Sequence, residues 1–365
     1  MQRMQITVAV VTLVVVALLA GAMAAHWPFW RRAWQWQTAA EGWPDTLPGP
    51  TVRIAAGGNH LPLRSAADAR LAERVGAGTQ MLLVGETSGL MAAWFAPGLN
   101  ELTVIDGRGL AAGLLGPVFG TQLAQHPSLL DASARDLLDR WPQDARGDIT
   151  PRHLLWQLSG LEQGAFVPLN PWSRRAQLAS GPDFERAALH TRQRFPPGTH
   201  FEPAAVNAQL LAVLASHAAG ADYAALLQRH LWSQFAEQDA VGMLDHRRGQ
   251  MAAHCCLHAA AADWLRLGLL LAAGGKVDQR QVLPVGFVAK MAVSSPVHPG
   301  YGLGFRLGET DSGPILLLET QGRRLAIAMQ TGRAVLWVGA GAPPPRLDEL
   351  LSPAHFPLQD STQGE

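Results

Sequence analysis

The sequence predicts an α+β fold: an antiparallel sheet assembled from both ends of the chain, flanked by helices, with a helical region inserted between its halves. Three observations carry this. Early in the body, "TQMLLVGETSGLMAAWFAPG" is two short apolar runs around a Gly/Ser turn, a hairpin signal. Near the end, "YGLGFRLG", "PILLLET", "RRLAIAMQ" and "AVLWVG" follow one another with short turns, an antiparallel meander. Between them, "SLLDASARDLLDRW", "TPRHLLWQLSG", "AVNAQLLAVLASHAAG", "DYAALLQRHLWSQF" and "AAAADWLRLGLLLAAGG" carry apolar residues at helical spacing, several stopping at glycine.

The elements divide the chain in order. Residues 6–25, "ITVAVVTLVVVALLAGAMAA", run twenty residues without a charge, about one bilayer core in helical rise. Trp27, Trp30, Trp34 and Trp36 follow, around Arg31 and Arg32, a composition suited to the headgroup zone. Residues 1–25 are therefore expected to be a signal anchor, a single transmembrane helix. The alternative is a signal peptide cut after the small residues Ala22 and Ala24, but the apolar run exceeds the ~7–15 residues of a cleavable segment. Arg3 on one side and Arg31 and Arg32 on the other do not choose an orientation. Residues 26–50, ending in "EGWPDTLPGP", read as an aromatic and then Pro/Gly linker. Residues 51–345 form the body, its sheet part at about 75–105 and 300–340 and its helical part at about 106–290. Residues 346–365, "RLDELLSPAHFPLQDSTQGE", read as a flexible tail.

Composition excludes some partners. Lys+Arg and Asp+Glu both number 29, so there is no basic excess to hold nucleic acid. Only two of the basic residues are lysines, Lys276 and Lys290, and the only tyrosines are Tyr223 and Tyr301. The only cysteines, Cys255 and Cys256, are adjacent, which disfavours a structural bridge and a zinc motif alike. No metal and no cofactor is expected.

"DITPRHLLWQLSGLEQG" resembles the "ITxRHLLxxTSGL" segment of the serine β-lactamase-like hydrolases, the superfamily of class C β-lactamases, penicillin-binding-protein-like esterases and 6-aminohexanoate-dimer hydrolases. "RFPPGTHFEPAAVNAQLLAVLASHAAGADYAALLQRHLW" is similar to its "PGxxFxYSNxNxxLLGxxLxxxxGxxYxxxLxxxLW", and "AAAADWLRLGLLLAAGG" to its "TARDxARFGxLxLxxG". "YGLGFRL" and the final hairpin fall where its last strands belong. The resemblance covers most of residues 75–340 and implies a β-lactamase/transpeptidase-like sheet, with the body on the periplasmic or outer side of the membrane.

The family's chemistry rests on a Ser-x-x-Lys nucleophile and base, a Tyr-x-Asn, and a Lys-Thr-Gly or His-x-Gly on a strand; a weak hydroxyl needs a basic partner within reach. The resemblance matches these positions to Gly109 and Ala112, to Pro203 and Ala205, and to Glu319 with the two residues after it. A second register puts Asp106 and Gly109 at the first pair. The absences do not depend on alignment. Ala273 and Phe287 stand three residues before the lysines, Ala225 and Leu303 two after the tyrosines, and neither lysine begins Lys-Thr-Gly. Loss of nucleophile or base alone costs on the order of a millionfold in turnover. The expectation is a pseudoenzyme whose pocket is emptier and more apolar than an active one. "QTG", Gln330 to Gly332, reads as a turn between strands.

Other residues are weighed against packing. Cys255, with His254 and His258 nearby, and Ser159, six residues after His153, are the alternative nucleophiles; core packing or capping is favoured for both. Ser88 has the wrong spacing for a nucleophile elbow. Asp131 and Asp136 read as a solvated helix face. Trp156, His200 and Glu202 are carried over as possible cleft-lining residues. The sequence thus points to a membrane-anchored envelope protein with a binding role, for a small amide or ester, a cell-wall fragment or a protein partner. The alternatives are a hydrolase with a relocated nucleophile and a structural envelope protein.

Overall fold

The computed structural model describes residues 2–39, 43–44, 46–58, 68–87, 89–138, 141, 144–341 and 347–357. Ser88 lies outside them. The strands are β1 (Thr51–Ile54), β2 (Thr79–Glu86), β3 (Gly89–Phe95), β4 (Val104–Asp106), β5 (Ala240–Met243) and β6 (Leu257–Ala260). They continue with β7 (Lys276–Val277), β8 (Arg280–Gln281), β9 (Arg306–Thr310), β10 (Gly313–Thr320), β11 (Arg323–Ala328) and β12 (Arg333–Gly339). The principal sheet is antiparallel with order β3-β2-β12-β11-β10-β9. Its first hairpin and last meander meet where β12 pairs with β2, Val335 opposite Val84. "QTG" is the turn between β11 and β12.

Both faces of this sheet are buried, which is why its strands read as near-continuous apolar runs. Met81, Leu83, Leu336 and Val338 face the main core, where the helix Ala261–Ala272 packs across β2, β11 and β12. Leu82, Val84, Val335 and Trp337 face a second cluster closed by Leu350, Leu351 and Phe356. The helical part is built around the buried helix Ala205–Ala219, ended by Gly220 in the left-handed region. With Tyr223–Phe235 it forms a bent apolar pair, largely interior.

Four expectations need correction. The helical region is interrupted by β5 and β6, which join β1 and β4 in a second sheet of order β1-β5-β6-β4; four-residue strands are too short for their period to show. "SLLDASARDLLDRW" is a 3₁₀ turn, Leu129–Asp131, and a short helix, Ala134–Leu137, because Ser133 caps the second piece and ends the first.

The segment 26–50 is not simply a linker. Helix α1 (Gln2–Ala25) is followed after one residue by α2 (Trp27–Thr38). Phe29 and Ala33 of α2 bury against Ala176. Arg32, 4% exposed, donates to the carbonyls of Gly181 at 2.9 Å and Asp245 at 2.5 Å, and Trp36 Nε1 donates to Ala179 O at 3.1 Å.

The tail is packed as far as Phe356: a 3₁₀ turn at Leu347–Leu351 lies on the sheet, and Arg333 donates to Phe356 O at 2.7 Å. Residues 358–365 lie outside the described ones. Among the described residues no single helix is long and apolar enough to cross a membrane. The expected anchor falls partly outside them, since the side chains of residues 1–10, 18, 19 and 22 are not described.

Candidate functional site

The position matched to the serine nucleophile lies at the start of a 3₁₀ helix, Arg108–Leu114, that leads into the helix Leu115–Gln122. A Cβ on Gly109 would stand 3.0 Å from Oγ1 and 3.1 Å from Cβ of Thr320 on β10. One turn on, a Cβ on Gly113 would stand 2.2 Å from Cδ1 of Leu318. Ala112 packs against the main core. At these two glycines the helix and strand β10 approach closely. Thr320 and Leu318 share the inward face of β10. Glu319, between them, points to the other face, as the period of a strand requires. There it pairs with Arg306 at 3.1 Å and lies close enough to Asp348 to help burial raise that carboxyl above its ordinary range.

At the second motif, Pro203 is exposed and Ala205 begins its helix beside a void of about 10 Å³ shared with Glu162 and Gln163. The polar links here are structural. Ser159, 1% exposed, donates its hydroxyl to Asn207 Oδ1 at 2.5 Å and accepts from Leu161 N at 3.1 Å. Gln157, at φ +59°, accepts from Asn207 Nδ2 at 2.8 Å and from Ala204 N at 3.2 Å. Phe201 stacks on His298 at 4.0 Å and tilts against Tyr301 at 5.2 Å. Burial pushes the Tyr301 phenol up to about 12, with a hydrogen bond from Gln157 pulling the other way, and burial raises Tyr223 as well. Both tyrosines hold their protons at neutral pH. Lys276 and Lys290 are exposed.

The remaining candidates occupy separate places. Trp156 lies under Arg152, 5.3 Å from its guanidinium. His200 stacks on Phe195 at 3.7 Å and its Nδ1 meets Thr199 Oγ1 at 2.8 Å. Glu202 accepts from Gln163 N at 3.2 Å. His153 completes a capping box with Thr150, Asp131 pairs with Arg152 at 2.6 Å, and Asp136 accepts from Ser133 at 2.6 Å. Cys255 and Cys256 are not free thiols: they are bonded to each other, in a cluster with Phe184, Met243 and Ala252. Cys256 takes φ +67° to turn the chain there. His254 beside them is pushed down to about 4 by burial. Among the described residues no group of three His, Cys, Asp or Glu is placed to hold a metal.

The chemistry-bearing groups that the fold does gather lie at the start of the same 3₁₀ helix. Asp106 of β4 and His258 of β6 are cross-strand partners. Their side chains face a cavity of about 500 Å³ that Arg108, Arg323, Trp43 and Gln80 also line. His258 Nε2 is 3.8 Å from Asp106 Oδ1, and Arg108 Nε is 3.9 Å from Asp106 Oδ2. Burial lowers the imidazole's pKa; Asp106 opposes this and Arg323 adds to it. Arg108 also donates to Gln321 O at 2.7 Å, and Arg323 to Asp106 O at 3.0 Å. Asp106 and His258 are visible in the sequence singly, in the second register and in "HCCLH", but their pairing is long-range and no spacing reveals it.

The chain has the fold of the serine β-lactamases and penicillin-binding proteins. No protein-family profile and no curated protein sequence matches it. Among solved structures it is similar to a Bacillus anthracis protein assigned as 6-aminohexanoate-dimer hydrolase, at 16% identity and TM-score 0.67 over 89% of this chain and 92% of that one. It is also similar to a penicillin-binding protein homolog from Caulobacter crescentus, at 13% identity and TM-score 0.60 over 80% and 98%. A third is EstCE1, a hydrolase with promiscuous acyltransferase activity, at 14% identity and TM-score 0.58 over 79% and 96%. At these identities the likeness concerns fold.

Proposed function

We propose that this chain is a membrane-anchored protein of the cell envelope whose β-lactamase-like body, held on the periplasmic or outer side, binds a ligand or partner and does not cleave it. One observation carries the non-catalytic part: Gly109, matched to the nucleophile, has no side chain, and a Cβ there would already stand 3.0 Å from Thr320 Oγ1, a tight contact. The two alternative nucleophiles are engaged, Ser159 with Asn207 and Cys255 with Cys256. The uncharged run 6–25 within the continuous helix α1 supports anchoring. The ligand is a small amide, ester or cell-wall fragment, and the cavity of about 500 Å³ has the volume for it.

The test is turnover of nitrocefin and p-nitrophenyl esters by the full chain in detergent. The expected result is no hydrolysis above buffer. Turnover that a serine-directed acylating probe abolishes, with one serine labelled, overturns it. A second reading, a hydrolase with relocated machinery, is favoured by the His258–Asp106 pair facing that cavity. On that reading hydrolysis is seen, survives Ser159→Ala, and is lost in His258→Gln.

A further inference from the structure

We infer that the face of the body formed by α2, the segment 166–172 and the loop at 246–248 docks flat against a bilayer rich in anionic lipid. The inference rests on the anchoring reading of α1. Its starting point is chain length. Only His26 separates α1 from α2, so nothing holds the body away from the surface in which α1 ends. Nor can α2 swing free, since Arg32 and Trp36 tie it to the carbonyls of Gly181, Asp245 and Ala179. The outer side of α2 is therefore held next to the end of α1.

That outer side has the required chemistry. Trp27, Arg31 and Trp34 stand at helical spacing, opposite the buried Phe29 and Ala33. Trp27 and Trp34 are 59% and 61% exposed, and Trp172 is 77% exposed with its ring 6.1 Å from that of His26. Arg31 shares an open cavity of about 820 Å³ with Arg247 and Arg248, which continues the surface. Among the described residues none of these three arginines is ion-paired. Tryptophan at the interface with arginine beside anionic headgroups is the pairing such a membrane favours. An acidic protein partner would satisfy the arginines but would not explain why the tryptophans lie next to the end of an apolar helix.

The experiment uses the full chain reconstituted with vesicles of phosphatidylcholine alone, or of phosphatidylcholine with phosphatidylglycerol, each with brominated acyl chains as a quencher. Flotation reports anchoring. The quenching that wild type shows and Trp172→Phe lacks reports docking. The expected result is flotation with both compositions and Trp172-dependent quenching only with the anionic one, reduced severalfold by the paired Arg247→Glu and Arg248→Glu substitutions. Flotation without that quenching, or equal quenching in both, overturns docking and leaves anchoring standing. Failure to float with either composition overturns both. Quenching abolished by free inorganic phosphate assigns the arginines to a soluble anion and overturns the lipid assignment.

Discussion

Gly109 lies against Thr320: a Cβ at this position, which the family resemblance matches to the nucleophile, would stand 3.0 Å from Oγ1 of that β10 threonine, so the strand would have to give by a few tenths of an ångström. Helix and strand approach closely here, at Gly109 and again at Gly113. Gly109→Ser should therefore restore no ester or β-lactam hydrolysis and should lower the Tm. Gly113→Ala should be worse, because Leu318 Cδ1 stands 2.2 Å from the new methyl. Overpacking of that kind costs about 1–3 kcal/mol. Urea unfolding of both variants checks the order; a Gly113→Ala protein as stable as wild type contradicts the contact.

Ser159 is a structural hydroxyl. Removing it leaves Asn207 Oδ1 and the Leu161 amide without their partner in the interior. Ser159→Ala should lose about 1–3 kcal/mol of stability, while labelling by acylating probes stays at the wild-type background. A loss of labelling in this variant, with stability unchanged, would point to a nucleophile.

Arg32 should govern whether α2 stays on the body. Arg32→Ala strips two buried carbonyls of a charged donor, at about 2–3 kcal/mol. Hydrogen exchange over residues 27–38 should speed up well ahead of the main sheet. Uniform exchange in both regions would mean that α2 is held by something else.

His254 ties stability to pH. Its folded-state pKa of about 4 lies below the ordinary 6.5, because burial disfavours the charged ring. The unfolded chain therefore takes up the proton first. The contribution is fully present above about 6.5 and is lost as pH falls towards 4, at most about 3 kcal/mol in all. Urea midpoints for wild type and His254→Gln should diverge across that window, with the wild type losing more stability on acidification. Parallel curves would contradict it.

The large elements were legible because each carries a period over many residues or a turn that bounds it: the β2–β3 hairpin, the β9–β12 meander and the helix Ala205–Ala219. What escaped was set by contacts remote in sequence. The strands β5 and β6 are four residues each and exist because β1 and β4 flank them. Arg32 looked like a headgroup cation until its carbonyl partners at Gly181 and Asp245 were in view. Residues 346–365 read as a flexible tail, yet Leu350, Leu351 and Phe356 cover the outer face of the sheet. At the site, the missing Ser-x-x-Lys and Tyr-x-Asn could be read directly. Two things could not: that Thr320 stands close over Gly109, and that Asp106 and His258 meet across two strands.

Intact-mass spectrometry of the full chain after exposure to a β-lactam and to a serine-directed acylating probe tests the central claim most directly. The mass should remain that of the unmodified polypeptide, with no stoichiometric adduct. A single covalent acyl group mapped to a side chain near Gly109 and Thr320, or in the cavity lined by Asp106 and His258, would contradict it.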